Sequence, residues 1–231
     1  MEAVILAGGQ GTRLRSLVSN VPKPMAPING VPFLQILLDI LNKNLFSHVV
    51  ISVGYLSQSI INHFGYQHRD LRISYSMEES PLGTGGAIKL ALDRCESNEI
   101  FILNGDTFLE LDYKLVTNLW ENTKSPIIVG KEVCDTSRYG AMIVEKSRII
   151  QFEDVQEKRP GVINAGTYYF SKEWLKEKLP QESRFSFETD FLLDSVRTYS
   201  YATHLAEGVF IDIGIPKDFN LAQSILKYYG Q

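Results

Sequence analysis

Leu6-Ala-Gly-Gly-Gln-Gly-Thr-Arg-Leu14, completed by Pro22-Lys-Pro-Met-Ala-Pro27, decides how the chain is read. It follows directly on the apolar run Ala3-Val-Ile-Leu-Ala7, which reads as a buried strand emptying into a glycine-rich loop. Without side chains at Gly8, Gly9 and Gly11, successive N–H groups can turn into one concavity and bind anionic oxygens. Arg13 adds a fork of donors suited to phosphate, and Lys23 adds a movable point charge. The stretch predicts a polyphosphate-binding loop, with a ligand-free strand-to-helix turn as the alternative. Two familiar glycine motifs do not fit. The dinucleotide fingerprint needs glycine or alanine at Leu14, and a P-loop needs Gly-Lys-Ser/Thr where Thr12-Arg13 stands.

The totals bound what such a loop can serve. The chain has 231 residues, of which 44% are hydrophobic and 22% charged, ordinary for a soluble globular protein. A net charge of -4 supplies no basic excess to neutralise a nucleic-acid backbone, so any anion site must be local. Cys95 and Cys134 are too few, and too far from any His cluster, for a zinc site or a disulfide scaffold. The opening Met1-Glu-Ala-Val-Ile-Leu6 lacks the basic start of a signal peptide. No apolar run approaches the roughly 20 residues that span a bilayer. The expectation is a cytoplasmic protein without membrane or nucleic-acid partners.

Outward from the loop, strand and helix patterns alternate. His48–Gly54, Arg72–Met77 and Ile100–Leu103 read as strands; Phe33–Leu41, a helix capped by Ser57, and Gly85–Cys95 read as helices. This predicts a parallel sheet with helices on both faces. After a helix around Leu115–Glu121 come short strands at Pro126–Val133, Tyr139–Glu145, Arg148–Glu153 and Val162–Phe170, either a separate antiparallel lobe or an extension of the sheet. Helices are expected at Lys172–Leu179, Ser186–Tyr199 and Ile215–Tyr229. Tyr201–Ala206 and Val209–Ile213 read as a hairpin turning at Glu207-Gly208. No linker or repeat divides the chain, so residues 1–231 are expected to form one domain.

Asp106 ends an apolar strand, and Asp212 lies within the apolar run Val209-Phe-Ile-Asp-Ile213. A carboxylate in such surroundings is costly unless paired, hydrogen-bonded or bound to a cation. Converging beside a phosphate loop, the two would make an oxygen site for Mg²⁺. The alternatives are a turn residue at Asp106 and an ion-pair partner at Asp212.

The opening motif with Pro22-Lys-Pro24 resembles the signature of the sugar-phosphate nucleotidyltransferases. The similarity recurs in Gly83-Thr-Gly-Gly-Ala87, Asn104-Gly-Asp106, Asn164-Ala-Gly166 and Phe210-Ile-Asp-Ile-Gly214, nearly the whole chain. It implies a Rossmann-like, three-layer α/β fold whose mixed, mostly parallel central sheet carries an antiparallel sugar-binding extension. Residues up to about 125 would bind the nucleotide and those from about 126 the sugar phosphate. Leu6, Ala7, Gly8, Gly9, Gly11, Thr12, Arg13, Glu78, Gly83 and Thr84 are implied at the nucleotide. Tyr139, Gly140, Glu153, Lys158, Asn164 and Gly166 are implied at the sugar phosphate. Arg13, Lys23 and Asp106 would be catalytic, and Asp106 with Asp212 would hold Mg²⁺. The sequence departs from the family at Ser16, where many members carry proline. It also has Asp154-Val155 where a Glu-Lys commonly follows the phenylalanine, with Glu157-Lys158 three residues later, so that Lys158, Arg159 or neither would take the lysine's place.

The implied reaction joins a sugar 1-phosphate to the nucleotidyl group of an NTP and releases pyrophosphate. The sugar phosphate is already anionic near neutral pH, so no catalytic His, Ser or Cys is required. Within the family, the short length and the runs Lys23–Pro27 and Pro81–Gly86 most resemble members acting on GTP and a heptose 1-phosphate. Other sugar 1-phosphates with UTP, dTTP or CTP are the alternative, as is a non-catalytic nucleotide-sugar-binding subunit. Exposed apolar helix faces would allow a homodimer.

Overall fold

The structure, a computed structural model, describes residues 1–9, 14, 21–153 and 157–229. The chain opens with β1 (Glu2–Leu6), a 3-10 turn at Lys23–Met25, β2 (Pro27–Ile28), β3 (Val31–Pro32) and α1 (Phe33–Lys43). Next come β4 (His48–Val53), α2 (Ser57–Phe64), β5 (Gln67–His68), β6 (Leu71–Met77), α3 (Gly83–Ala91) and β7 (Glu99–Asn104). β8 (Thr107–Leu109) and α4 (Tyr113–Thr123) precede β9 (Ile127–Val133), β10 (Ala141–Glu145), β11 (Arg148–Glu153) and β12 (Gly161–Ser171). After α5 (Lys172–Lys178), a π-helical turn at Glu188–Leu192 runs into α6 (Leu193–Ser195). β13 (Tyr201–Leu205), β14 (Phe210–Asp212) and α7 (Pro216–Ile225) follow.

Among the described residues ten strands make one sheet in the order β10-β11-β13-β9-β12-β7-β1-β4-β6-β5. β7, β1, β4 and β6 are parallel neighbours, and β1, β4 and β7 show the largely continuous apolar runs of strands buried on both faces. Beyond β7 the sheet continues through antiparallel β12 and β9, so the short strands extend the main sheet and form no separate lobe. Side-chain alternation divides each central strand between two cores. Ala3, Ile5, Val49, Ile51 and Phe101 pack with Leu34, Leu38, Ile60 and Val116 of α1, α2 and α4. Val4, Val50, Ile100 and Ile102 pack with Ile88, Ala91 and Leu175 of α3 and α5 on the other face. Three layers result. Among the described residues no helix is long and apolar enough to cross a membrane.

Three local expectations are corrected. Ser57 opens α2 without capping it; Leu56, in the left-handed region at φ 57°, makes the boundary. The helix expected over Ser186–Tyr199 is the π turn followed by one short α-helical turn. The hairpin at Glu207-Gly208 does not form. β13 is taken up by parallel pairing with β9, while β14 crosses to pair with β8 in a two-stranded sheet. The Lys131 ammonium holds that crossing, donating to the carbonyls of Ala206, Glu207 and Gly208 at 3.1, 2.8 and 2.8 Å.

β1 is anchored at its start by a buried acid. The Glu2 carboxylate lies 2.6 Å from His48 Nδ1 and accepts from the backbone N–H groups of Glu96 and Ser97. Burial pushes its pKa up, but the His48 hydrogen bond and the two amides outweigh burial and hold it at about 2, against 4.5 ordinarily. A depressed carboxyl stabilises the fold above its unfolded value and loses that contribution as pH falls. Its worth is roughly 3 kcal/mol. Glu2→Gln should therefore lower the melting temperature at pH 7 and flatten the loss of stability between pH 4.5 and 2. Thermal melts across that range check this, and an unchanged acid limb would contradict it.

Candidate active site

The site forms where β1 and β7 end. Gly105 donates its N–H to the Leu6 carbonyl at 2.9 Å, and a Cβ at Gly105 would stand 2.5 Å from that oxygen. Glycine is thus what lets the two strand ends touch, and the next residue, Asp106, is fixed beside the opening loop. The β8–β14 pair then sets Asp212 opposite Thr107, and Ile213 donates its N–H to the Asp106 carbonyl at 3.0 Å. The pairing that replaced the expected hairpin is what brings the two carboxylates together.

Lys23 joins them. The prolines around it shape a 3-10 turn, and Pro24 is buried. Its ammonium lies 2.5 Å from Asp106 Oδ2 and 3.8 Å from Asp212 Oδ1. Asp212 Oδ1 also accepts the Gly214 N–H at 2.6 Å. Burial, followed by the negative charge of Asp106, raises the Asp212 pKa; Lys23, the Gly214 amide and Arg138 act in the opposite direction. Two carboxylates this close, with a cation between them, form a site that favours positive charge.

Two cavities meet there. The smaller, about 290 Å³, is lined by Leu6, Ala7, Gly8, Gly9, Glu78 and Lys23, and also by Gly83 and Thr84. The larger, about 1040 Å³, is lined by Tyr139, Gly140, Glu153, Asn164, Gly166 and Asp212. Asn104 and Asp106 line both, so they stand at the junction. Asn104 Oδ1 is buried and has no hydrogen-bond partner among the described residues.

Several expected residues carry protein contacts as well as lining a cavity. Glu78 Oε2 accepts the Leu82 N–H at 3.0 Å, and Oε1 accepts the Ser52 hydroxyl at 3.3 Å. Thr84 donates to Glu188 at 2.6 Å and accepts the Phe187 N–H at 2.8 Å, which uses its hydroxyl within the protein. The glycines at the start of α3 admit the neighbouring segment: Gly85 donates to the Phe185 carbonyl, and a Cβ at Gly83 would meet that oxygen at 2.4 Å. Asn164 donates to the Tyr168 hydroxyl and accepts the Gly166 N–H. Burial raises the Tyr139 phenol to about 12. Glu153 is paired with Arg159.

Lys158 stands apart. It lines neither cavity, is 84% exposed, and lies 3.9 Å from Asp135. Gly11, Thr12 and Arg13 lie outside the described residues, as do Ser16, Asp154 and Val155. Sequence reasoning missed Asn104 and Glu188 as site residues, and Arg138 as well. The signal for Arg138 was its position directly before Tyr139-Gly140. The signal for Asn104 was its place in Asn104-Gly-Asp106. Nothing local marked Glu188.

Comparison with known proteins agrees with this architecture. The model of the nucleotidyl transferase family matches residues 2–227. The D-glycero-alpha-D-manno-heptose 1-phosphate guanylyltransferase of Aneurinibacillus thermoaerophilus is 39% identical over 230 residues, covering 99% of this chain and 100% of its own. That of Campylobacter jejuni is 39% identical over 220 residues, covering 95% and 97%. The crystal structure of HddC from Yersinia pseudotuberculosis has a TM-score of 0.87 at 36% identity, covering 97% of this chain and 99% of that one. Its complex with GMP-PN has a TM-score of 0.86. With the match running through both cavities and along nearly the full length of these relatives, the chain belongs to the nucleotidyl transferase family and is an enzyme.

Proposed function

We propose that this enzyme transfers the guanylyl group of GTP to D-glycero-α-D-manno-heptose 1-phosphate, releasing pyrophosphate. The GDP-heptose formed would serve surface-glycan synthesis, and the cytoplasm is the proposed site of action. Identity of 39% to two heptose 1-phosphate guanylyltransferases supports the substrate pair. The observation that carries the reaction is the meeting of two cavities at Asp106 and Asn104, with Asp212 alongside. The smaller cavity, built mainly by the first 125 residues, would take the nucleotide. The larger, built mainly by the rest, would take the sugar phosphate. A homodimer belongs to the same reading, supported by exposed apolar side chains such as Leu115, Leu221 and Tyr228.

In this reading an oxygen of the sugar phosphate forms a bond to the α-phosphorus of GTP. The bond from that phosphorus to the pyrophosphate oxygen breaks, and both electrons leave with pyrophosphate. The nucleophile is anionic at neutral pH, so the chain supplies alignment and charge rather than a general base. Lys23 would neutralise the reacting phosphates. Arg13 and the amides of Gly8, Gly9 and Gly11 would hold the departing pyrophosphate. Leu6, Ala7 and Thr12 would complete the nucleotide contacts.

The residues present fit Mg²⁺. Asp106 and Asp212 offer only oxygen donors, and a lysine ammonium already occupies the space between them. Among the described residues no three His, Cys, Asp or Glu side chains form a closed metal cage. Two carboxylates match the way Mg²⁺ is held when substrate phosphates complete its shell. When bound, Mg²⁺ would neutralise charge shared by the two substrates.

Pyrophosphate release with GTP, ATP, UTP and CTP, each against heptose, mannose and glucose 1-phosphates, tests the substrate assignment. It should be fastest with GTP and the heptose. Equal or faster turnover with UTP, or none with any pair, would overturn it. Glu78, on the wall of the smaller cavity, would accept from N1–H and N2–H₂ of guanine. Glu78→Gln should weaken GTP binding by about tenfold and leave UTP binding nearly unchanged. Calorimetric titration of both nucleotides reads this, and equal effects on the two would remove Glu78 from base selection.

A further inference from the structure

The larger cavity, on the reading above, receives an anion, and that requires a cation facing it. Among the described residues two guanidinium groups line it, Arg138 and Arg197. Arg197 is 77% exposed and pairs with Asp194 of its own helical turn at 3.6 Å. Among the described residues it forms no ion pair with Asp106 or Asp212. Arg138 lies at the inner end, 3.7 Å from Asp212 Oδ2. It also pairs with Asp218 in the first turn of α7 and lies 4.9 Å over the Tyr139 ring.

Those three contacts orient the guanidinium without using it up. Arginine has five N–H donors in a planar fork, and here one terminal nitrogen is hydrogen-bonded to Asp218. The side chain keeps 36% exposure beside the cavity. The charges at the junction are also arranged by side. Lys23 lines the smaller cavity and touches both Asp106 and Asp212; Arg138 lines the larger and reaches Asp212 from across. Each substrate thus has one inner cation on its own side of the acidic pair.

We propose that Arg138 binds the phosphate group of the sugar 1-phosphate. It does for the nucleophile what Lys23 does for the nucleotide. This inference rests on the reaction assigned above. It gives Arg138 a substrate-binding role that Lys158, outside the cavity lining, has no geometry to fill.

The test compares Arg138→Met, Arg138→Lys, Asp218→Asn and Lys158→Met, using heptose 1-phosphate and GTP as separate probes. Arg138→Met should raise the KM for the sugar phosphate by about tenfold or more and leave the KM for GTP within about twofold. Arg138→Lys should recover part of that loss. Asp218→Asn, which removes the ion pair and keeps the arginine, should not reproduce it. Thermal melts accompany each variant; if Arg138→Met does not fold, the lysine and Asp218 variants decide. Equal effects on both substrates, no effect on either, a sugar-specific defect in Lys158→Met, or an equal defect in Asp218→Asn would each overturn the proposal. If the unaltered chain released no pyrophosphate, the reaction assignment would fail instead. Calorimetric binding of the sugar phosphate would still read Arg138.

Discussion

The Lys23 ammonium, 2.5 Å from Asp106 and 3.8 Å from Asp212, holds together two carboxylates that would otherwise repel. Neither acid sits comfortably alone at the end of an apolar strand, and the raised Asp212 pKa registers first its burial and then the Asp106 charge. Much of the local architecture keeps these groups in reach of one another. The Gly105–Leu6 contact fixes the first acid. The β8–β14 pair fixes the second. The proline-framed turn at Lys23–Met25 delivers the cation. A site assembled in this way is already charged in the sense that a divalent cation and two polyanionic substrates would use.

The parallel core was legible chiefly because β1, β4 and β7 are buried on both faces and leave long apolar runs. Val49-Val50-Ile51 and Ile100-Phe-Ile-Leu103 have no polar face to confuse the period. The partner of β14 was not legible. Glu207-Gly208 carries a local turn signal, and local signals cannot show that β13 is already committed to β9. Nor can they show that Lys131, far along the chain, gathers three consecutive carbonyls at that crossing. The β14–β8 pairing is what sets Asp212 beside Asp106.

The candidate site was legible in its acids and less so in its cations. Asp106 and Asp212 stand out because a charge in an apolar strand needs a reason. Which hydrogen-bonding sites are already spent cannot be read from sequence: Thr84 lies at the cavity wall, yet its hydroxyl joins Glu188 and Phe187. The family resemblance directed attention to Lys158, whereas the fold sets Arg138 against Asp212 and Asp218. Arg13, central to the motif reading, lies outside the described residues.

The proposed function turns on whether Asp106 and Asp212 together would hold one divalent ion. Manganese, as a paramagnetic substitute for Mg²⁺, reads this directly by titration of the GTP-bound protein followed by electron paramagnetic resonance. Asp106→Asn and Asp212→Asn should each weaken Mn²⁺ binding by roughly tenfold or more while the variants remain folded. Wild-type Mn²⁺ affinity in both variants would contradict the account.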